Sequence, residues 1–443
     1  MSRKIEFEIK SRKCIKPSTS TPPHLKTFKL SLLDQLSPNI HGNMTLFYPY
    51  NHASESFSTK SQLLQNSLSQ TLTLFYPFAG RLKDASTIHC NDEGAFFIEA
   101  QTETSLSDIL VNPDFDTLEC FLPTTDNETM TMSNGSMLLV RFTLFRCGGT
   151  ALSISLTHKI ADIAALITLL KTWTAACDGA TETVVPELAT GATLFPPRDI
   201  PGMSASVNTV SSEKFTTRRF VFVASKVEEL KDRVKTALDE GTMFYPSRVE
   251  VVLALIWKCA LSASSSKTTS FKPSALFQAV NLRPRMDPPV PDTAVGNFVW
   301  PFAVTVEEDS HVELHELVKR MRKGMREFLD RKAEKFKEEG AFGVVMETLK
   351  ERGEILKKKD NTNTSVVYKC SSWCKFPLLE TDFGWGKPVW MSSVNKFGSN
   401  TIALMDTKDG GVEAFVTLDF KEMLLFEQDH QLLRYAMLNP SVL

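Results

Sequence analysis

The chain has no uncharged apolar run of membrane-spanning length; its most apolar stretch, residues 160–177, carries Asp162 and Lys171. A bilayer-crossing helix needs about 20 largely apolar residues, so the sequence gives no support to a transmembrane span. Residues 1–10 alternate charged and apolar side chains, which suits a strand and lacks the apolar core of a signal peptide. Charge of one sign is also missing, with 50 Lys and Arg against 52 Asp and Glu. That balance removes the broad electrostatic reason to expect nucleic acid or an anionic membrane as partner. No Gly-rich phosphate loop occurs, so an ATP or dinucleotide fold has nothing to stand on. The eight cysteines are scattered through 443 residues, which is neither a disulfide framework nor paired zinc spacing. Only Cys370 and Cys374 lie close, and they read as reduced thiols. His311 and His315 sit among Glu307, Glu308, Asp309, Glu313 and Glu316, the composition of a solvated acidic helix start rather than a metal site. The expectation is a cytoplasmic monomer with no metal.

What is present is enough apolar content, 42%, for the cores of two ordinary domains. Residues 5–15 read as a strand. Leu63, Leu64, Leu68 and Leu72 give residues 58–74 a helical face. Turn residues 91–94 between two short apolar runs signal a hairpin over 82–100, and the polar residues 124–136 a loop. Strands over 137–145 and 151–156 flank the turn Cys147-Gly-Gly-Thr150. From 178 to 214 Gly, Pro, Thr and Ser dominate, as in a linker. A strand over 215–223 follows, then a helix over 226–240 with Ser225 and Glu228 as a capping box. Next come a helix over 247–263, a buried strand over 275–281, charged helices within 314–359 and a last helix over 420–438.

His158-Lys-Ile-Ala-Asp162 lies between the strand and an almost wholly apolar stretch of helical length. A histidine at such a junction sits at a site rim, and imidazole is the side chain best suited to take a proton near neutral pH. Far downstream stands Asp382-Phe-Gly-Trp-Gly386. Together the two motifs resemble the signatures of the plant BAHD acyltransferases, CoA-dependent O- and N-acylating enzymes. The resemblance spans the chain: residues 16–24, Leu30-Ser-Leu-Leu-Asp34, Leu74-Phe-Tyr-Pro77-Phe-Ala-Gly80, Asn281-Leu-Arg283-Pro-Arg285, Gly296-Asn297, Ser371-Ser-Trp373-Cys and Asn439-Pro440 follow in the family's order. Ile163 departs from the Gly that many members carry after this Asp.

The resemblance implies an α/β fold of two CoA-dependent acetyltransferase-like domains, each a mixed sheet with helices. An active-site channel is expected at their interface. Residues 1–180 and 215–443 are the expected domains and 181–214 the crossover linker. It implies His158 as general base and Asp162 as a structural partner of Arg283, with Lys159 pointing away. Trp373 is the candidate oxyanion donor, with Ser371 beside it. Asp382, Phe383, Gly384, Trp385 and Gly386 are expected to shape the channel from a distance. CoA needs cations and backbone donors for its phosphates; Ser247, Arg248, Arg285 and Lys387 are the candidates. Acyl-CoA is then a co-substrate, with no permanently bound cofactor and no metal. The expected reaction is acyl transfer, with acetyl-CoA the preferred donor, to a hydroxyl of a plant alkaloid or terpenoid. The alternatives are a malonyl, hydroxycinnamoyl or benzoyl donor, an amine acceptor, or a non-catalytic CoA- or metabolite-binding homologue.

Overall fold

The computed structural model describes residues 5–51, 55–125, 127–179, 184–199, 215–238, 244–265, 273–307, 312–330, 336, 341–357, 366–394, 398 and 400–443. The first sheet holds β1 (Glu8–Ile15), β3 (His41–Tyr48), β6 (Ala95–Thr102), β7 (Leu138–Phe145), β8 (Thr150–Thr157) and β13 (Trp390–Ser392). Their spatial order is β1-β6-β7-β8-β3-β13, antiparallel except for β6 against β7. A small sheet joins β2 (Thr27–Lys29), β5 (Thr87–His89) and β4 (Arg81–Leu82). The second large sheet runs β11 (Val299–Val306), β10 (Ser274–Asn281), β12 (Val366–Ser372), β14 (Thr401–Asp406), β15 (Val412–Asp419), β9 (Phe215–Phe222) and β16 (Met437–Leu438). In it β12 is parallel to both β10 and β14. The α/β class with two mixed sheets is therefore as expected.

Alternation decides which face of each strand is buried on helices. Leu152, Ile154 and Leu156 of β8 share one core with Leu64, Leu68 and Leu72 of helix Phe57–Leu74 and with Leu169 and Trp173 of helix Ile163–Cys177. Helix Arg248–Ser265 is buried over most of its surface in the second core, among helices Ala224–Thr236, Leu314–Phe328 and Phe420–Phe426. The two units are stitched together. Strand β13 comes from the C-terminal half yet pairs with β3, placing Trp390 opposite Phe47. Glu413 of β15 accepts from the Trp390 Nε1 at 3.1 Å and pairs with Arg219 of β9 at 2.9 Å, all three nearly buried.

Several local expectations need correction. Strand β5 pairs with β2 and β4 while β6 joins the first sheet, so no hairpin turns at residues 91–94, and the chain reverses instead at 83–86 between β4 and β5. Residues 124–136 include a helix, Asn127–Met132. The helix after β9 is Ala224–Thr236 with Val223 at its N-cap, so Ser225 lies inside it and caps nothing; residue 240 lies outside the described residues. Residues 420–438 break into two short helices and β16 because Asp429 caps a new helix through the Gln431 and Leu432 amides. Within the stretch read as a linker, Thr190–Leu194 is helical, and residues 200–214 lie outside the described residues. Strand β12 ends before Cys374, and every cysteine is a free thiol. His311, Glu308 and Asp309 lie outside the described residues, while His315 Nε2 stands 3.5 Å from Glu316. Among the described residues no group of His, Cys, Asp and Glu is placed to hold a metal ion, and no helix is long and apolar enough to cross a membrane.

Candidate active site

Strand β8 ends at Thr157 and the chain turns through His158 before helix Ile163–Cys177 begins. Asp162 is the N-cap, a position where a short carboxylate satisfies an otherwise orphaned helix amide; its Oδ1 accepts from the Ala165 N–H at 3.0 Å. The His158 backbone is pinned at both ends. Its N–H donates to the Ile40 carbonyl at 2.8 Å, and its carbonyl accepts from Asn297 Nδ2 at 2.8 Å. The ring is left free: Nδ1 is buried with no hydrogen-bond partner, and no described residue bonds the other nitrogen. Lys159 turns aside, its Nζ donating to the Gln35 carbonyl at 2.8 Å.

Asp162 does not serve that imidazole. Its Oδ2 accepts from Arg283 Nη1 at 2.7 Å and from the Phe298 N–H at 3.0 Å, while Oδ1 takes Arg283 Nη2 at 3.1 Å besides Ala165. Four donors fill a carboxylate's acceptor sites. Arg283, 1% exposed, also donates to the Ala294 carbonyl at 2.8 Å and lies over the Phe298 ring. This forked pair ties the helix after His158 to the loop before β11.

Sequence reading assigned no role to Asp34 or Asn297. Asp34 is buried and closes a capping box with Ser31. Its Oδ1 accepts both the Asn297 N–H and Nδ2 at 2.8 Å. Burial pushes the Asp34 carboxyl above its usual range, against the pull of the Ser31 and Asn297 hydrogen bonds. Asn297 thus spends one amide proton on Asp34 and the other on His158. The partner of Asp34 lies 263 residues away, beyond the reach of any local sequence pattern.

From the second sheet come Ser371, near the end of β12, and Trp373. The indole Nε1–H donates to Ser371 Oγ at 3.1 Å. An indole has a single donor, so in this arrangement the hydroxyl of Ser371 carries the proton available to a ligand. The Trp373 N–H holds the Leu404 carbonyl at 2.7 Å, and its ring packs on the core of the first sheet.

Each of the four CoA candidates has a hydrogen-bond partner within the protein. Ser247 forms a reciprocal cap with Glu250. Arg248 is occupied by the Gly410 and Gly411 carbonyls and by Asp406, which also accepts the Lys375 N–H. Arg285 donates to the Asn281 carbonyl at 2.6 Å, and burial lowers its pKa. Lys387 pairs with Glu380, which raises its pKa. The downstream motif is a folded strap. Asp382 Oδ1 accepts the N–H groups of Gly384 and Gly386, both at 2.9 Å and both at positive φ. The turn sends Phe383 and Trp385 into the first core, Phe383 edge-on to Trp173 and Trp385 edge-on to Tyr48. Lys60 stands over the Trp385 ring.

Two mixed sheets thus carry a histidine with an unbonded ring at a strand–helix junction of one and a hydroxyl–indole pair on the other. A family model described as Transferase family matches residues 5–433. The chain is 37% identical to limonoid 1-O-acetyltransferase of Citrus sinensis, covering 99% of this chain and 100% of that one. It is 37% identical to akuammiline synthase 1 of Alstonia scholaris over 97% of each. The crystal structure of vinorine synthase superposes with a TM-score of 0.83 at 31% identity, covering 99% of this chain and 100% of that one. The chain belongs to this transferase family, the BAHD acyltransferases, and is an acyl-CoA-dependent acyltransferase.

Proposed function

We propose that the chain transfers the acetyl group of acetyl-CoA to a hydroxyl of a plant alkaloid or terpenoid in one ternary complex. The observation that carries the mechanism is His158: its backbone is fixed by Ile40 and Asn297 while its ring has no partner. A pinned imidazole with a free ring is a base awaiting a substrate proton. The acceptor oxygen attacks the thioester carbonyl as its proton passes to His158. Negative charge gathers on the carbonyl oxygen, where the Ser371 hydroxyl, oriented by Trp373, donates. Collapse breaks the carbon–sulfur bond, and the departing CoA thiolate takes the proton back from the imidazolium. No acyl-enzyme is needed, because the thiolate leaves readily and positioning supplies much of the rate. Arg285 and Lys387 retain donors for CoA phosphates, while Arg248 is linked through Asp406 to the backbone at Lys375. The acetyl donor rests on relatives named as acetyltransferases.

The test is thiol release from acetyl-CoA against a pooled plant alcohol and alkaloid extract, with mass spectrometry of the products. An acetyl mass gain that vanishes in His158→Ala supports the reading. An undiminished gain in that variant removes His158 as base, and no gain with acetyl-CoA removes the donor assignment.

A further inference from the structure

Ladder register maps the face that the second sheet turns away from its own helices. Directly paired residues share a face, and so do residues two apart on one strand. Tyr368 and Cys370 of β12 point into the second core, so Lys369 and Ser371 point the other way. Ser371 is in register with Ala403, Phe415 and Arg219; Ala403 and Phe415 pack against the core of the first sheet. This face therefore looks toward the first unit. The adjacent row is Phe277, Lys369, Thr401, Thr417 and Thr217. It is a cation followed by three hydroxyls, with Thr217 and Thr417 bonded to each other at 2.8 Å.

A second cation stands at the same place. The guanidinium of Arg352, on helix Ala341–Lys357, lies 5.9 Å from the Phe277 ring, beside Lys369 in the ladder. Lys369 reaches solvent, and neither it nor Arg352 forms an ion pair with any described residue. Partial burial and then the charge of Arg352 lower the Lys369 ammonium from its ordinary pKa. Two like charges side by side without a counter-charge oppose folding, and an incoming anion reverses that cost.

We infer that Lys369 and Arg352, with the Thr401 hydroxyl beside them, form a subsite for an oxyanion, a carboxylate or phosphate, borne by the acyl tail or by the acceptor. The inference rests on the proposed reading that Ser371 lines the reaction centre. Two residues along a strand span about 7 Å, the reach of a short acid-bearing substituent. The long pantetheine arm sets the phosphates of CoA farther from the thioester than that. The cations thus select among substrates rather than holding CoA.

The experiment is calorimetric titration of the full chain and of Lys369→Gln and Arg352→Gln with CoA, acetyl-CoA and malonyl-CoA. Beside it run acetyl-CoA kinetics on plant hydroxy acids and their methyl esters. A charge-assisted contact of this kind is worth roughly tenfold to a hundredfold in affinity. If the acyl tail bears the anion, malonyl-CoA binds at least about tenfold tighter than acetyl-CoA, and both variants close the gap. If the acceptor bears it, the acids exceed their esters in kcat/KM by a similar factor, and the variants abolish the preference. Either pattern supports the subsite. Equal weakening of all three CoA species assigns the cations to the phosphates of CoA and overturns it, as does indifference of every arm to both substitutions. Turnover of neutral alcohols at the wild-type rate in those cases leaves the acyl-transfer reading standing. Failure of the wild-type chain to transfer any acyl group strikes that reading itself.

Discussion

Asp162→Ala separates a structural carboxylate from a catalytic one. The substitution strands Arg283, 1% exposed, with backbone carbonyls as its remaining acceptors. Removing one member of a buried ion pair costs about 3–5 kcal/mol, and the lost N-cap adds about 1 kcal/mol. With an unfolding entropy of about 2.1 cal/mol/K per residue, 1 kcal/mol moves the Tm of a 443-residue chain by about 1 °C. The expected fall is about 4–6 °C by scanning calorimetry. Because the pair holds the helix after His158, kcat also drops, by roughly 10²-fold for a misplacement near 1 Å. The double variant Asp162→Ala, Arg283→Met removes the stranded charge and regains most of the Tm. Asp162→Asn keeps a competent N-cap but loses the ion pair, so Tm and kcat fall together. The reasoning is refuted if Asp162→Asn keeps the wild-type Tm yet loses turnover as fully as His158→Ala. That outcome marks a carboxylate acting on the imidazole in the reaction.

His158→Ala lowers kcat by about 10²–10⁴ while calorimetric affinity for acetyl-CoA stays unchanged, since its ring bonds no described residue. Asn297→Ala frees the His158 carbonyl and leaves Asp34 one donor short, since the backbone N–H at 297 remains; kcat falls about tenfold or more with little change in KM for acetyl-CoA, read from steady-state kinetics. Glu413→Ala strands the buried Arg219 and the Trp390 N–H, and Tm drops by about 3–5 °C. Lys60 lies beside Trp385, and burial depresses its pKa. A depressed lysine makes stability rise as pH climbs through the folded pKa toward the unfolded one, because the unfolded chain there binds more protons. Lys60→Met therefore matches or exceeds the wild-type Tm at neutral pH and lacks its share of the alkaline gain, measured as the Tm difference between the two proteins across pH.

Much of the fold was written in local pattern. Periodicity located helix Phe57–Leu74 and the strands around Gly148 because one face of each is apolar at the right spacing. The break at Asp429 was hidden, since residues 420–438 keep a helix-like apolar spacing across a cap that depends on side-chain geometry. The forked pair of Asp162 and Arg283 was named from resemblance, and the structure supplies its four-donor geometry. Asn297 illustrates the opposite case. Its weight lies in two bonds, one to Asp34 and one to the His158 backbone, and no spacing rule carries a contact over such separations. Arg248 shows the converse limit: a cation at a helix start reads as a phosphate ligand until the carbonyls of Gly410 and Gly411 are seen to occupy it.

The pairing of β13 with β3 has a consequence for synthesis. Until residues 390–392 are made, β3 is an edge, with Leu46, Phe47 and Tyr48 at its far end. Unpaired apolar edges recruit other chains. A nascent first unit therefore waits for nearly the whole polypeptide to emerge, and a fragment ending before residue 390 is an aggregation hazard rather than a smaller enzyme. The strap from Asp382 through Trp390 closes that edge late, so one half of the molecule is completed by the other.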